Sequence, residues 1–153
     1  MNEKMRLLKS DIEADEAQIA QIYDLLSAYL SPPSEAKDII VVGYYLHNLY
    51  TAFEHLCQLV AGAFENQIDD RAQWHALLLR RMTQAIEGIR PRLFSDETFQ
   101  YLSELRSFRH VFRSAYAVTL DPDRLALVFH KAIALRPLYK ADLAKFKDFL
   151  NNL

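Results

Sequence analysis

Apolar residues recur at intervals of three and four along nearly the whole chain, a period that only α-helices can bury on one face. Leu7, Ile12, Ile19, Ile22, Leu26 and Tyr29 hold that period through the first segment and predict a helix over Glu3 to Leu30. Ser31-Pro32-Pro33-Ser34 ends it, because consecutive prolines cannot supply the N–H groups of a helical ladder. A second helix is expected over Ser34 to Asn66, through Val41, Tyr45, Leu49, Phe53, Leu56, Val60 and Phe64. Its length and aromatic content suit the centre of a bundle. A third is expected over Asp70 to Glu87, carrying Trp74, Leu77, Leu78, Met82 and Ile86, with Gly88 as its C-cap. Ser95 makes a good N-cap for a fourth, with Asp96 and Glu97 in the first turn, where the helix dipole favours anions. Asp121-Pro122 repeats that grammar for a fifth, which Pro137 is expected to kink, leaving Leu138 to Leu150 as its final arm.

Composition narrows the class further. With 153 residues the length suits one domain, taken as residues 1–153, and only 3 Gly argue against sandwiches, barrels and glycine-rich phosphate loops. Half the residues are hydrophobic and 25% are charged, which excludes a disordered acidic or basic tail. A single cysteine, Cys57, excludes a disulfide framework and a cysteine zinc site. No apolar run approaches the roughly 18 residues of a membrane span, and the first ten residues lack the apolar core of a signal peptide. The expectation is an all-α, up-and-down bundle of four to five helices, cytoplasmic, with no membrane segment, metal or cofactor.

Charge is unevenly placed. Residues 1–70 hold 12 acids against 4 bases, a balance of −8, while residues 71–153 hold 8 acids against 14 bases, a balance of +6. The stretch 104–140 carries Arg106, Arg109, Arg113, Arg124, Lys131, Arg136 and Lys140 against Glu104, Asp121 and Asp123. A local surplus of this kind attracts polyanions even when the whole chain is slightly acidic. On a helical wheel of Tyr101 to Ala117, Leu105, Phe108, Val111, Phe112 and Ala115 are read as the apolar face. Arg106, Arg109, His110 and Arg113 are read as the opposite face, with Tyr116 on one flank and Ser114 on the other. Guanidinium groups so placed, with no nearby acid beyond Glu104, repel one another and gain from an external anion; arginine's planar fork suits phosphate oxygens. An ordinary solvated basic helix is the competing reading.

The segment Phe108-Arg109-His110-Val111-Phe112-Arg113-Ser114-Ala115-Tyr116 resembles the signature of HEPN-domain proteins, specifically HepT-like ribonuclease toxins. That signature is arginine, a polar residue, three further residues, histidine, any residue, tyrosine. Arg109, His110 and Tyr116 match it. Tyr45-Leu46-His47-Asn48-Leu49-Tyr50 with Phe53-Glu54, Trp74-His75 with Leu77-Leu78 and Met82, Arg90-Pro91 and the Leu120-Asp121 turn extend the likeness over roughly residues 40–130. The resemblance implies a HEPN fold and a metal-independent endoribonuclease acting on RNA, with tRNA suggested by family analogy. It implies phosphate binding by Arg109, assisted by Arg106 and Arg113, and a homodimer whose motif helices share one cleft. It further implies an MntA-type nucleotidyltransferase antitoxin that transfers AMP to Tyr116.

The chain departs from the pattern where it matters most. Ser114 occupies the position of the catalytic histidine, and a hydroxyl without its own base accepts no proton near pH 7. Cleavage is therefore expected to be weak or absent, with phosphate binding retained. His110, one turn from Ser114, is a candidate relocated base. The second reading is a non-catalytic RNA- or nucleotide-binding module, or a protein-interaction module, with a degenerate motif. His47, His55, His75 and His130 lack metal-site spacing and are read as packing or hydrogen-bonding residues. Arg80-Arg81, Arg90 and Arg92 are read either as an extension of the RNA surface or as solubilising charge.

Overall fold

The computed structural model describes residues 2–65, 74–114 and 120–153. Among the described residues there are five helices and no strand: α1 (Glu3–Leu26), α2 (Ala36–Phe64), α3 (Trp74–Arg81), α4 (Asp96–Ser114) and α5 (Pro122–Asn151). The contacts fix their directions. Asp15 meets His55, and Tyr29 meets Asp38, so α1 and α2 run antiparallel. Glu54 pairs with Arg109 while His47 packs on Phe112, so α2 and α4 are antiparallel too. Ser95 and Thr98 bind Asp142, and Glu104 meets Lys131, which makes α5 antiparallel to α4. The result is the expected up-and-down all-α bundle, with α2 touching every other helix. None of the helices among the described residues is long and apolar enough to cross a membrane.

The core explains the order. Tyr23, Phe53, Phe94 and Tyr139 meet where α1, α2, α5 and the segment before α4 converge, Phe53 lying edge-on to both Phe94 and Tyr139. Tyr23 stacks on Tyr139 with centroids 5.7 Å apart and donates its hydroxyl to the Ala132 carbonyl at 2.7 Å, so its one polar atom is satisfied inside.

Two helix ends differ from expectation, each for a local reason. α1 stops at Leu26, before the prolines, where the Ser27 hydroxyl donates to the Asp24 carbonyl at 2.7 Å and tighter bonds from Ala28 and Tyr29 close the last turn. The described part of α3 is short; the expected start at Asp70 falls outside the described residues. Beyond Arg81 the chain turns, and the Met82 carbonyl accepts from both Leu93 and Phe94. Gly88 therefore caps no helix. It sits at φ +75 in a tight turn between Ile86 and Arg90, whose backbones pair across it. α5 is one continuous helix that contains Pro137.

Ser95 and Asp121 cap α4 and α5 as expected. The Ser95 hydroxyl accepts from Thr98 N at 3.2 Å, and the Asp121 carboxylate accepts from Asp123 N at 3.0 Å. Asp142 of α5 accepts from Ser95 N at 3.0 Å and from the Thr98 hydroxyl at 2.6 Å, which locks the start of α4 onto the bundle.

Candidate functional site

The second half of α4 lies along α2, and their contact is built around one carboxylate. Glu54 stands one turn beyond Tyr50 on α2, on the stripe that also buries Leu46, Tyr50 and Cys57. Arg109 Nη1 donates to Glu54 Oε1, and Nη2 to Oε2, both at 3.2 Å. The guanidinium carbon lies 4.7 Å from the centre of the Tyr50 ring. His75 of α3 brings Nδ1 to 2.7 Å from Glu54 Oε2. Glu54 is 8% exposed and Arg109 7%, so each charge needs the other: a lone buried ion is strongly disfavoured, and a two-pronged pair satisfies both.

This corrects the view of Arg109 as a solvent-facing group awaiting an external anion. The anion comes from α2. At 100° per residue, Arg109 falls only about 40° from Leu105 on the α4 wheel, on the flank of the apolar face. Arg113, Arg106 and His110 fall about 80°, 100° and 140° away. Arg106 is half-buried, while His110 and Arg113 are exposed. Neither Arg106 nor Arg113 forms an ion pair with a described residue. Val111, read as apolar-face, is 41% exposed.

Nearer the start of α2, the two helices pack without an intervening side chain. A Cβ on Gly43 would lie 2.9 Å from Leu120 Cδ1 and 3.1 Å from Phe112 Cε2, so the missing side chain lets Phe112 reach α2. His47 packs on the Phe112 ring, centroids 5.3 Å apart and planes 30° apart. Its Nδ1 is buried with no partner among the described residues. Burial, and then the charges of Arg109 and Arg113, hold the His47 pKa below the ordinary imidazole value, so the ring is neutral near pH 7. Burial likewise pushes the Tyr50 hydroxyl well above its usual range, and it stays protonated.

The cluster therefore joins His47, Tyr50 and Glu54 of α2, His75 of α3, and Arg106, Arg109, Phe112 and Arg113 of α4. Exposed guanidinium groups can bind phosphate oxygens, and a neutral imidazole can accept a proton. Of the residues singled out from sequence, Ser114 closes α4, but its side chain and the whole of Tyr116 fall outside the described residues. Sequence alone does not assign Glu54, His75 or His47 to the site. One signal was available for Glu54: a carboxylate on an otherwise apolar stripe requires a cation opposite.

Elsewhere the basic surplus is partly neutralised. Arg90, read as surface charge, is buried (3% exposed) and pairs with Glu65, and its Nη1 donates to the carbonyls of Gln84 at 2.9 Å and Pro91 at 3.0 Å. It ties the α3–α4 connection together and is removed from any RNA surface. Lys131 pairs with Glu104 at 3.1 Å and Arg136 with Asp24 at 3.9 Å. His55 hydrogen-bonds Asp15 at 2.7 Å, in keeping with a bonding role. Among the described residues no group of three or more His, Cys, Asp or Glu could hold a metal ion.

A family model described as HepT-like protein matches residues 41–150, from the second turn of α2 to the last turn of α5. No curated protein matches the chain, and no solved structure does.

Proposed function

The chain belongs to the HepT-like family, a group of HEPN-type toxins, and from that premise we propose that it is the toxin-side member of a toxin–antitoxin pair that binds RNA along the exposed flank of α4. The observation that carries this reading is the excess of guanidinium over carboxylate at the α2–α4 contact. Glu54 neutralises Arg109 alone, leaving Arg106 and Arg113 with no acid to pair with among the described residues. Phosphate oxygens supply what those two groups lack. Arg109, held rigid by Glu54 and Tyr50, sets the spacing of its neighbours one turn away and reaches a phosphate only by exchanging partners.

In this reading RNA cleavage needs no metal and depends on a base near the scissile phosphate. Ser114 does not supply one, so any cleavage by this chain depends on a base elsewhere in the site. A homodimer places two α4 flanks on one cleft and deepens the groove. The partner is a nucleotidyltransferase antitoxin of the MntA type, and AMP added to Tyr116, three positions after Arg113 in sequence, brings bulk and negative charge that close the site to RNA. Both partners work in the cytoplasm, where the RNA is.

The test is fluorescence anisotropy of a labelled single-stranded RNA across salt concentrations. The logarithm of affinity should fall linearly with the logarithm of salt, and Arg113→Ala should flatten the slope by about 0.7, the loss of one neutralised phosphate. Binding that ignores salt, or no binding, would refute the reading. A second reading, a non-catalytic interaction module, is favoured by the closed Arg109–Glu54 pair. It predicts that Ser114→His restores no cleavage.

A further inference from the structure

We propose that His47 is the proton acceptor of this site, taking the part that Ser114 does not fill. The inference rests on the proposed binding of RNA at the α2–α4 cluster, and it names a residue outside the α4 motif altogether.

Three observations carry it. The imidazole is held in one orientation, packed on Phe112 at 5.3 Å, where Gly43 has let that ring close on α2. Its Nδ1 is buried without a partner among the described residues, so the exposure of this half-buried ring falls on the far edge, which carries Nε2. Burial, and then charge, keep it unprotonated: Arg109 and Arg113 face it from α4, and Glu54, the nearest acid along the same face of α2, is already committed to Arg109. His110 lies about 100° further round the α4 wheel than Arg109 and is exposed.

The step balances within the site. Nε2 of His47 takes the proton of a ribose 2′-hydroxyl, and the freed oxygen forms a bond to the adjacent phosphorus. The bond from phosphorus to the 5′-oxygen breaks, and the imidazolium returns the proton to that departing oxygen. A 2′,3′-cyclic phosphate and a 5′-hydroxyl result.

The experiment is cleavage of a fluorogenic RNA oligonucleotide by the full chain in EDTA, with RNA affinity measured in parallel. The wild-type rate should rise with pH and level off, its inflection below the ordinary imidazole value of about 6.5. His47→Gln should slow cleavage by about 10²–10⁴-fold with RNA affinity unchanged, and added imidazole should restore part of the rate. Wild-type chain that binds RNA without cutting it, or H47Q that cuts at the wild-type rate, would overturn the role of His47 and leave RNA binding standing. Failure to bind RNA would overturn both. Should H47Q not fold, the wild-type profile decides alone: an inflection at or above about 6.5 overturns the proposal.

Discussion

Replacing Glu54 by leucine removes the only carboxylate among the described residues that reaches Arg109, and it leaves a guanidinium buried at 7% exposure with no counter-charge. Stranding one member of a buried pair costs about 3–5 kcal/mol, because the charge keeps its desolvation penalty and loses its partner. The His75 contact to the same oxygen adds little, since that imidazole side chain is 46% exposed and water replaces the bond. For a chain of this size each kcal/mol moves the melting temperature by about 2–4 °C, so Glu54→Leu should melt about 6–20 °C below wild type. Arg109→Met should destabilise for the mirror reason. The double variant should recover most of the loss, because apolar groups of similar volume replace a buried pair at little or no net cost. Thermal unfolding followed by circular dichroism, run as a double-mutant cycle, reads the coupling directly. If Glu54→Leu melts within about 2 °C of wild type, under 1 kcal/mol, the pair is solvated and the buried geometry is wrong.

The same contact carries two further expectations. Gly43→Ala gains up to about 1 kcal/mol of helix propensity but presses on Phe112 and Leu120, an overpacking cost of about 1–3 kcal/mol; Gly62→Ala, with open space around it, should stabilise by about 0.5–1 kcal/mol. Denaturant midpoints of opposite sign relative to wild type check this pair. His47 has a lowered pKa in the fold, so the unfolded chain binds the extra proton first. Its contribution to stability is complete above about pH 6.5, falls as pH drops through that value toward the folded pKa, and is gone below it. Unfolding free energies of wild type and His47→Phe should diverge across that window, and parallel curves would count against a neutral buried ring.

The helices were legible because their signals are local. Ser95 and Asp121-Pro122 announce N-caps, and both bonds form. The features that sequence missed depend on partners distant along the chain. Nothing near Gly88 says that the Met82 carbonyl will turn the chain back after Arg81. Arg90 reads as a loop charge until Glu65 is placed against it. Arg109 looks exposed when α4 is considered by itself, since its counter-ion stands 55 positions earlier, on α2. The wheel held a warning, because Arg109 lies only about 40° from Leu105, too close to the apolar centre for a solvated group. The candidate site is thus a product of packing between helices, and the lowered pKa of His47 comes from burial and from the arginines the fold places beside it.

If the α4 flank handles RNA, a base at position 114 can stand in for the one His47 supplies. Cleavage of a single-stranded RNA in EDTA by Ser114→His on the His47→Gln background reads that dependence with nothing in between. Metal-independent cleavage should run at least about 10²-fold faster than in His47→Gln alone, and be lost again when Arg113→Ala weakens RNA binding. A double variant that folds, binds RNA as tightly as the unsubstituted chain and still leaves it intact would show that α4 holds RNA without acting on it.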